Sequence, residues 1–135
     1  MPAAQVLDSH ALLSLLRDEP GAETVAQILE KAGQRDQPVH MTEVNYAEVQ
    51  YMIRRKDGEA AWQSVAGELV AAPIQFHPAD RALADAAADL KARFKISLAD
   101  AFAAALARVR KAELVTGDPE FKPLEKEIKI HWLKG

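Results

Sequence analysis

Four of the twenty acidic residues in this 135-residue chain stand apart from the rest: Asp8, Glu48, Asp100 and Asp118. Two fall where a strand should end, one opens a helix, and one lies on a stripe of a helix that should face inward. Carboxylates gathered in this way repel one another, because a nearby like charge disfavours ionisation. A divalent cation removes that penalty, and an all-oxygen donor set suits Mg²⁺ or Mn²⁺. One or two such ions can orient a water, make it more acidic, and stabilise charge on the attacking and leaving oxygens of a phosphodiester. Hydrolysis of a nucleic-acid backbone by this route needs no cysteine, serine or histidine nucleophile.

The elements that must position these groups can be read from the hydrophobic pattern. Gln5-Val6-Leu7 predicts a first strand with Asp8 at its carboxyl end, followed by a helix whose core face is Leu12, Leu13, Leu15 and Leu16. Pro20-Gly21 breaks that helix, and a second is expected from about Glu23 to Lys31, with Gly33 near its end. Pro38 to Met41 predicts a second strand, and Thr42 caps the next helix. On that helix Val44, Glu48, Tyr51, Met52 and Arg55 share one sector, which places Glu48 within an apolar stripe and demands a partner for it. Asp57-Gly58 turns the chain into a helix over Glu59–Ala71, with Trp62, Ala66, Leu69 and Val70 on its apolar side. Pro73 to Phe76 predicts a third strand. Pro78 fits the first position of a long helix to about Phe94, with Leu83, Ala87 and Leu90 inward.

The stretch Ile96 to Phe121 is the one the others are organised around. Ser97 and Asp100 have the spacing of a capping box, so a helix should begin at Ser97. Leu98, Phe102, Ala105 and Val109 line one face of it, and Asp100, Ala103, Ala104 and Ala107 roughly the other. Both faces are apolar or small, which predicts a central helix. Glu113 to Thr116 then forms a strand that ends in the turn Gly117-Asp118, and Ile128 to Leu133 alternates as a final edge strand. Strands separated by helices imply one α/β domain, residues 1–135, with a mainly parallel sheet of about five short strands between helical layers. If the strands before Asp8 and Asp118 are neighbours, all four acids can meet at the carboxyl edge of the sheet, where open α/β folds place their ligands.

Composition narrows the possibilities further. The net charge of −3 supplies no global attraction for nucleic acid. The longest apolar run, Ala101 to Ala107, is too short to span a bilayer. No basic segment leads into an apolar run at the start, as a secretory signal would require. The chain has no cysteine, which excludes disulfides and thiolate sites and fits a cytoplasmic setting.

The order of motifs, VLDSHALL, NYAEVQY, ISLADAFAAALA and LVTGDPEF, resembles a PIN-domain ribonuclease of the VapC toxin type over nearly the whole chain. By that resemblance Asp8, Glu48, Asp100 and Asp118 match the metal-site acids and Thr116 a supporting hydroxyl, while Ser9 is a candidate to orient Asp8. The resemblance implies a PIN-like α/β/α sandwich, Mg²⁺- or Mn²⁺-dependent RNA cleavage, a homodimer, and inhibition by a cognate VapB-type antitoxin.

Taken one at a time, the acids have ordinary readings. Asp8 would serve as a helix cap, Asp100 as the capping-box acid, and Asp118 as turn chemistry before Pro119. The histidines have no metal-ligand spacing, although His10 lies close enough to Asp8 to reach a substrate. Arg54-Arg55-Lys56 and Arg108-Arg110-Lys111 are candidate phosphate contacts, or solvated helix ends. Two other functions fit part of the pattern. A phosphotransfer signalling domain also places acids at a sheet edge, but it needs an aspartate after the third strand, where this chain has Phe76-His77-Pro78. An RNA- or protein-binding module of the same fold would keep the acids without catalysis.

Overall fold

Val6 and Leu7 are both fully buried although they point to opposite faces of one strand, so the sheet they belong to is covered on both sides. That strand, β1 (Gln5–Leu7), opens the computed structural model, which describes residues 3–134. After it come α1 (Ser9–Leu16), α2 (Ala22–Arg35), β2 (Val39–Thr42), α3 (Glu43–Asp57) and α4 (Glu59–Ala71). Then follow β3 (Ile74–His77), α5 (Arg81–Arg93), α6 (Leu98–Arg110), β4 (Glu113–Thr116), a 3₁₀ helix (Pro119–Leu124) and β5 (Ile130–Trp132). All four strand pairings are parallel, in the order β3-β2-β1-β4-β5. The chain therefore builds outward from β1 in one direction and then in the other, and its topological switch point lies between β1 and β4.

Two cores follow from the alternation of the strands. Val6 and Leu114 face α5 and α6, packing with Leu83, Leu90, Phe102 and Phe121. Leu7 and Val115 face α1 and α2, packing with Val25 and Ile28. Further along that second side, Met41 joins Leu12, Val49, Ile53 and Trp62 beneath α3 and α4. Every residue from Asp100 to Ala107 on α6 is buried, as its two-faced apolar pattern predicts, and the five alanines of that stretch let the helix lie close to the sheet. Leu98 and Val109, at the ends of the helix, are exposed.

Several boundaries differ from expectation for local reasons. α2 runs a turn past Lys31, because Gly33 is accommodated within it and Asp36, at φ 52°, supplies the left-handed cap. Pro78 lies outside α5: Asp80 accepts from the Leu83 N–H at 2.9 Å and starts the helix instead. Val70, placed on the apolar side of α4, is 88% exposed. The α3 stripe is rotated by one residue. Its buried positions are Asn45, Val49 and Ile53, while Tyr51 and Arg55 face outward and Glu48 is half-buried at the margin. A count of apolar types could not place an asparagine in the core. Among the described residues, no helix is long and apolar enough to cross a membrane.

Candidate metal centre

The centre begins at the end of β1. Asp8 adopts extended backbone and caps α1, its Oδ1 accepting from the Ala11 N–H at 2.8 Å. Its other oxygen accepts from the Thr116 hydroxyl at 2.5 Å. Asp8 is thus a helix cap and more than a helix cap, since a surface carboxylate would suffice for capping and this one is 1% exposed. Burial pushes its carboxyl up to about 7; the bonds from Thr116 and Ala11 pull it down, and the charges of Asp118 and Glu48 push it up again.

Thr116 ends β4, which pairs with β1 so that Leu7 lies opposite Val115. Fully buried, its hydroxyl donates to Asp8 and accepts from the Asp118 N–H at 3.0 Å. Asp118 in turn caps the 3₁₀ helix, its Oδ1 accepting from the Glu120 N–H at 2.9 Å. Asp8 and Asp118 therefore sit side by side at the switch point, as neighbouring parallel strands require.

Asp100 arrives from α6, and here the structure departs from the local pattern. Ser97 caps the helix by accepting from the Asp100 N–H at 3.1 Å, but the return bond of a capping box is not made by Asp100. The Ser97 N–H donates instead to Glu120 Oε1 at 2.5 Å. The Asp100 carboxylate, 8% exposed, is left to face the other acids. Burial first, and then the charges of Asp118, Glu120 and Asp8, raise its carboxyl well above the usual range. Oxygens of Asp100, Asp118 and Glu120 lie within 4.8 Å of one another, and Asp8 and Glu48 flank this tight set without joining it.

Glu120 was not anticipated, because a glutamate after proline reads as turn surface. Asn45 was also missed. Fully buried, it donates to Ser9 Oγ at 3.2 Å and to the Ala99 carbonyl at 3.1 Å, and accepts from the Thr42 hydroxyl at 2.5 Å. It thereby fixes α3, and with it Glu48, against α1 and the first turn of α6. The Thr42-x-x-Asn45 spacing at a helix start was the available signal. Ser9, expected to orient Asp8, is taken up by Asn45 instead, its hydroxyl also lying 3.3 Å from the Asn45 carbonyl. His10 is exposed, and its Nδ1 accepts from the Gly117 N–H at 3.3 Å.

Among the described residues, no ion pair includes Asp8, Glu48, Asp100, Asp118 or Glu120. Arg108, a candidate phosphate contact, is held with Arg93 by Asp89 and Glu127, and Arg54 pairs with Glu59. An all-oxygen donor set that runs from buried Asp100 to exposed Glu120, with no ion-pair partner among the described residues, fits a hard divalent cation. A concavity of about 680 Å³ lies at the opposite end of the strands beside Lys31, Arg35 and Lys129, so depth alone would misplace the centre. β3 lies at the sheet margin and ends in His77, and the next acid, Asp80, is taken up in capping α5.

The model of the PIN domain matches residues 6–127, and the chain belongs to that family. Solved structures agree on the fold. VapBC2 of Rickettsia felis, bound to a DNA fragment from its promoter, superposes with a TM-score of 0.79 at 15% identity, covering 97% of this chain and 99% of that one. VapC20 of Mycobacterium tuberculosis, a Sarcin-Ricin loop cleaving toxin, gives 0.71 at 15%, over 89% and 94%. VapBC-5 of the same organism, a member of the VapBC toxin-antitoxin family, gives 0.63 at 20%, over 99% and 100%. No curated protein sequence matches the chain significantly.

Proposed function

We propose that this chain is a divalent-cation-dependent endoribonuclease, the toxin of a VapBC-type pair, acting on RNA in the cytoplasm and restrained by a VapB-type antitoxin. One observation carries the reading: Asp8, Asp100 and Asp118 converge at the switch point, and among the described residues none of them forms an ion pair with a lysine or arginine. The solved VapBC complexes and VapC20, a Sarcin-Ricin loop cleaving toxin, support the antitoxin partner and the nuclease, and a homodimer is carried over from the sequence resemblance alone.

Asp100 and Asp118 would hold Mg²⁺ or Mn²⁺, with Asp8 and Glu48 completing the negative field. When bound, the cation would acidify a water and stabilise charge on the phosphodiester oxygens. The protein's own groups do the rest. Thr116 holds the Asp8 carboxylate in place by its hydrogen bond, and the first turns of α1 and α6 keep Asp8 and Asp100 largely out of water. Glu48, at the margin of the site on the helix that Asn45 anchors, would accept a proton from an attacking water.

The test is cleavage of total RNA by antitoxin-free protein with Mg²⁺, with Mn²⁺ and with EDTA, beside Asp8→Asn. Discrete fragments that need the metal, and that fall by about a hundredfold or more in the variant, are expected. Equal cutting by folded Asp8→Asn would remove the assignment. RNA left intact in every lane, with Mn²⁺ bound, would favour a PIN fold used for binding.

A further inference from the structure

We propose that Glu120 is a positioning residue: it caps α6 from outside the helix and so keeps Asp100 free for the cation. The inference rests on the metal-site reading above, and it assigns to Glu120 a task that nothing in the local sequence suggests.

The argument starts from an unpaired donor. The first backbone N–H groups of an α-helix have no partner within the helix, and a Ser-x-x-acid sequence normally supplies one from the acid at the third helical position. Asp100 is that acid, and it is the cheapest acceptor for the Ser97 N–H. If it turned back to that N–H, it would leave the other carboxylates and no longer serve as a ligand. In the fold, the 3₁₀ helix that follows β4 carries Glu120 to the start of α6, where its Oε1 accepts the Ser97 N–H at 2.5 Å. The position of Glu120 is itself set by Asp118, which accepts the Glu120 N–H at 2.9 Å. A continuous run of hydrogen bonds thus links Ser97 to Glu120, Asp118, Thr116 and Asp8. Competition between two acceptors for one N–H decides where Asp100 points, and Glu120 wins it.

An oxygen of Glu120 also lies within 4.8 Å of Asp100 and Asp118, so the rival role is that of a ligand. Charge separates the two. A ligand needs the carboxylate, whereas a cap needs only a carbonyl-type acceptor of the same reach.

Mn²⁺ affinity would be measured by calorimetry for the full chain, Glu120→Gln and Glu120→Ala. The positioning role predicts that Glu120→Gln stays within about threefold of the parent while Glu120→Ala loses about tenfold, the size of effect seen when a residue behind a ligand is removed. Equal loss in both variants makes Glu120 a ligand, and no loss in either leaves it idle; each overturns the proposal. A metal-free readout separates this result from failure of the metal reading itself. In EDTA, the Ser97 amide proton resonance should move in Glu120→Ala and stay in place in Asp100→Asn. Should Asp100→Asn move it and Glu120→Ala leave it, the cap is local and the proposal fails whatever the metal does.

Discussion

The Thr116 hydroxyl donates to Asp8 at 2.5 Å, joining the ends of two neighbouring parallel strands by a side chain rather than by the sheet ladder. The same oxygen accepts the Asp118 N–H, so one hydroxyl serves both carboxylate-bearing residues. Asp8 is held from both sides, by Ala11 on its own helix and by Thr116 on the next strand.

Thr116→Val keeps the shape and removes the hydroxyl. It leaves one Asp8 oxygen and the Asp118 N–H without partners, at an expected loss of about 1–3 kcal/mol in a urea titration. Mn²⁺ affinity should fall about tenfold, as for other residues that orient ligands, and Thr116→Ser should recover most of both. Unchanged stability and affinity in Thr116→Val would mean the bond has no role.

Acid should stabilise the metal-free centre. Asp8 has its folded value raised to about 7 from an ordinary 3.8, so the folded state binds the extra proton between those values. The stability it contributes is present at low pH and is lost as pH rises through about 7. His40 works in the opposite sense: burial lowers it from 6.5 to about 4, and stability is lost as pH falls through that window. The Asp8 effect is therefore read as a difference. In EDTA, the melting temperature of Asp8→Asn minus that of the parent should grow as pH rises from about 5 to 8. A difference that does not change with pH would contradict the burial argument. Mn²⁺ should reverse the trend in the parent, stabilising more at pH 8 than at pH 5.5, because protons compete for the ligands.

Asn45→Ala removes the donor shared by Ser9 and the Ala99 carbonyl and leaves a small void between α1, α3 and α6. A loss of about 2–4 kcal/mol in chemical denaturation is expected, since buried polar groups are left unsatisfied. Asn45→Asp should be no better, because it loses both donors and adds a charge to an already crowded field. Wild-type stability in either variant would sink the claim that Asn45 fixes α3.

Glu127→Gln should matter little. Arg93, Arg108, Asp89 and Glu127 form an exposed network, with Arg93 to Glu127 at 2.6 Å. Exposed pairs contribute about 0–1 kcal/mol and are screened by salt, so the expected change is below about 1 kcal/mol. Cleavage rate should be unaffected. A large fall in rate would show that this cluster carries a task beyond the surface.

Gly117→Ala places a Cβ 2.6 Å from His10 Cε1, which forces the ring away from the Gly117 N–H. Because His10 is exposed, it can swing out at a cost of about 1 kcal/mol. A displaced His10 ring resonance with Mn²⁺ affinity intact would agree; an unmoved ring would contradict the close approach.

Much of this protein is legible in its residues because each local signal was also the global one. Val6 and Leu7 announce a strand buried on both faces, Ser97 and Thr42 announce helix starts, and the all-apolar run after Asp100 announces a central helix. Asp8 and Asp118 fall at strand ends by chain order alone, since a carboxylate just beyond a short apolar run has nowhere else to be. The tertiary structure decided what depends on distance between segments. It set β1 beside β4, so that Thr116 meets Asp8 across 108 positions of sequence. It also rotated α3 by one residue to bury Asn45, which bonds to Thr42, the cap of its own helix, and to Ser9 and Ala99 far away in the chain. And it gave the Ser97 N–H to Glu120 rather than to the nearer Asp100. Apolar spacing reports which side of an element avoids water. Which of two acceptors takes one N–H depends on where separate segments end up, and only the packed chain determines that.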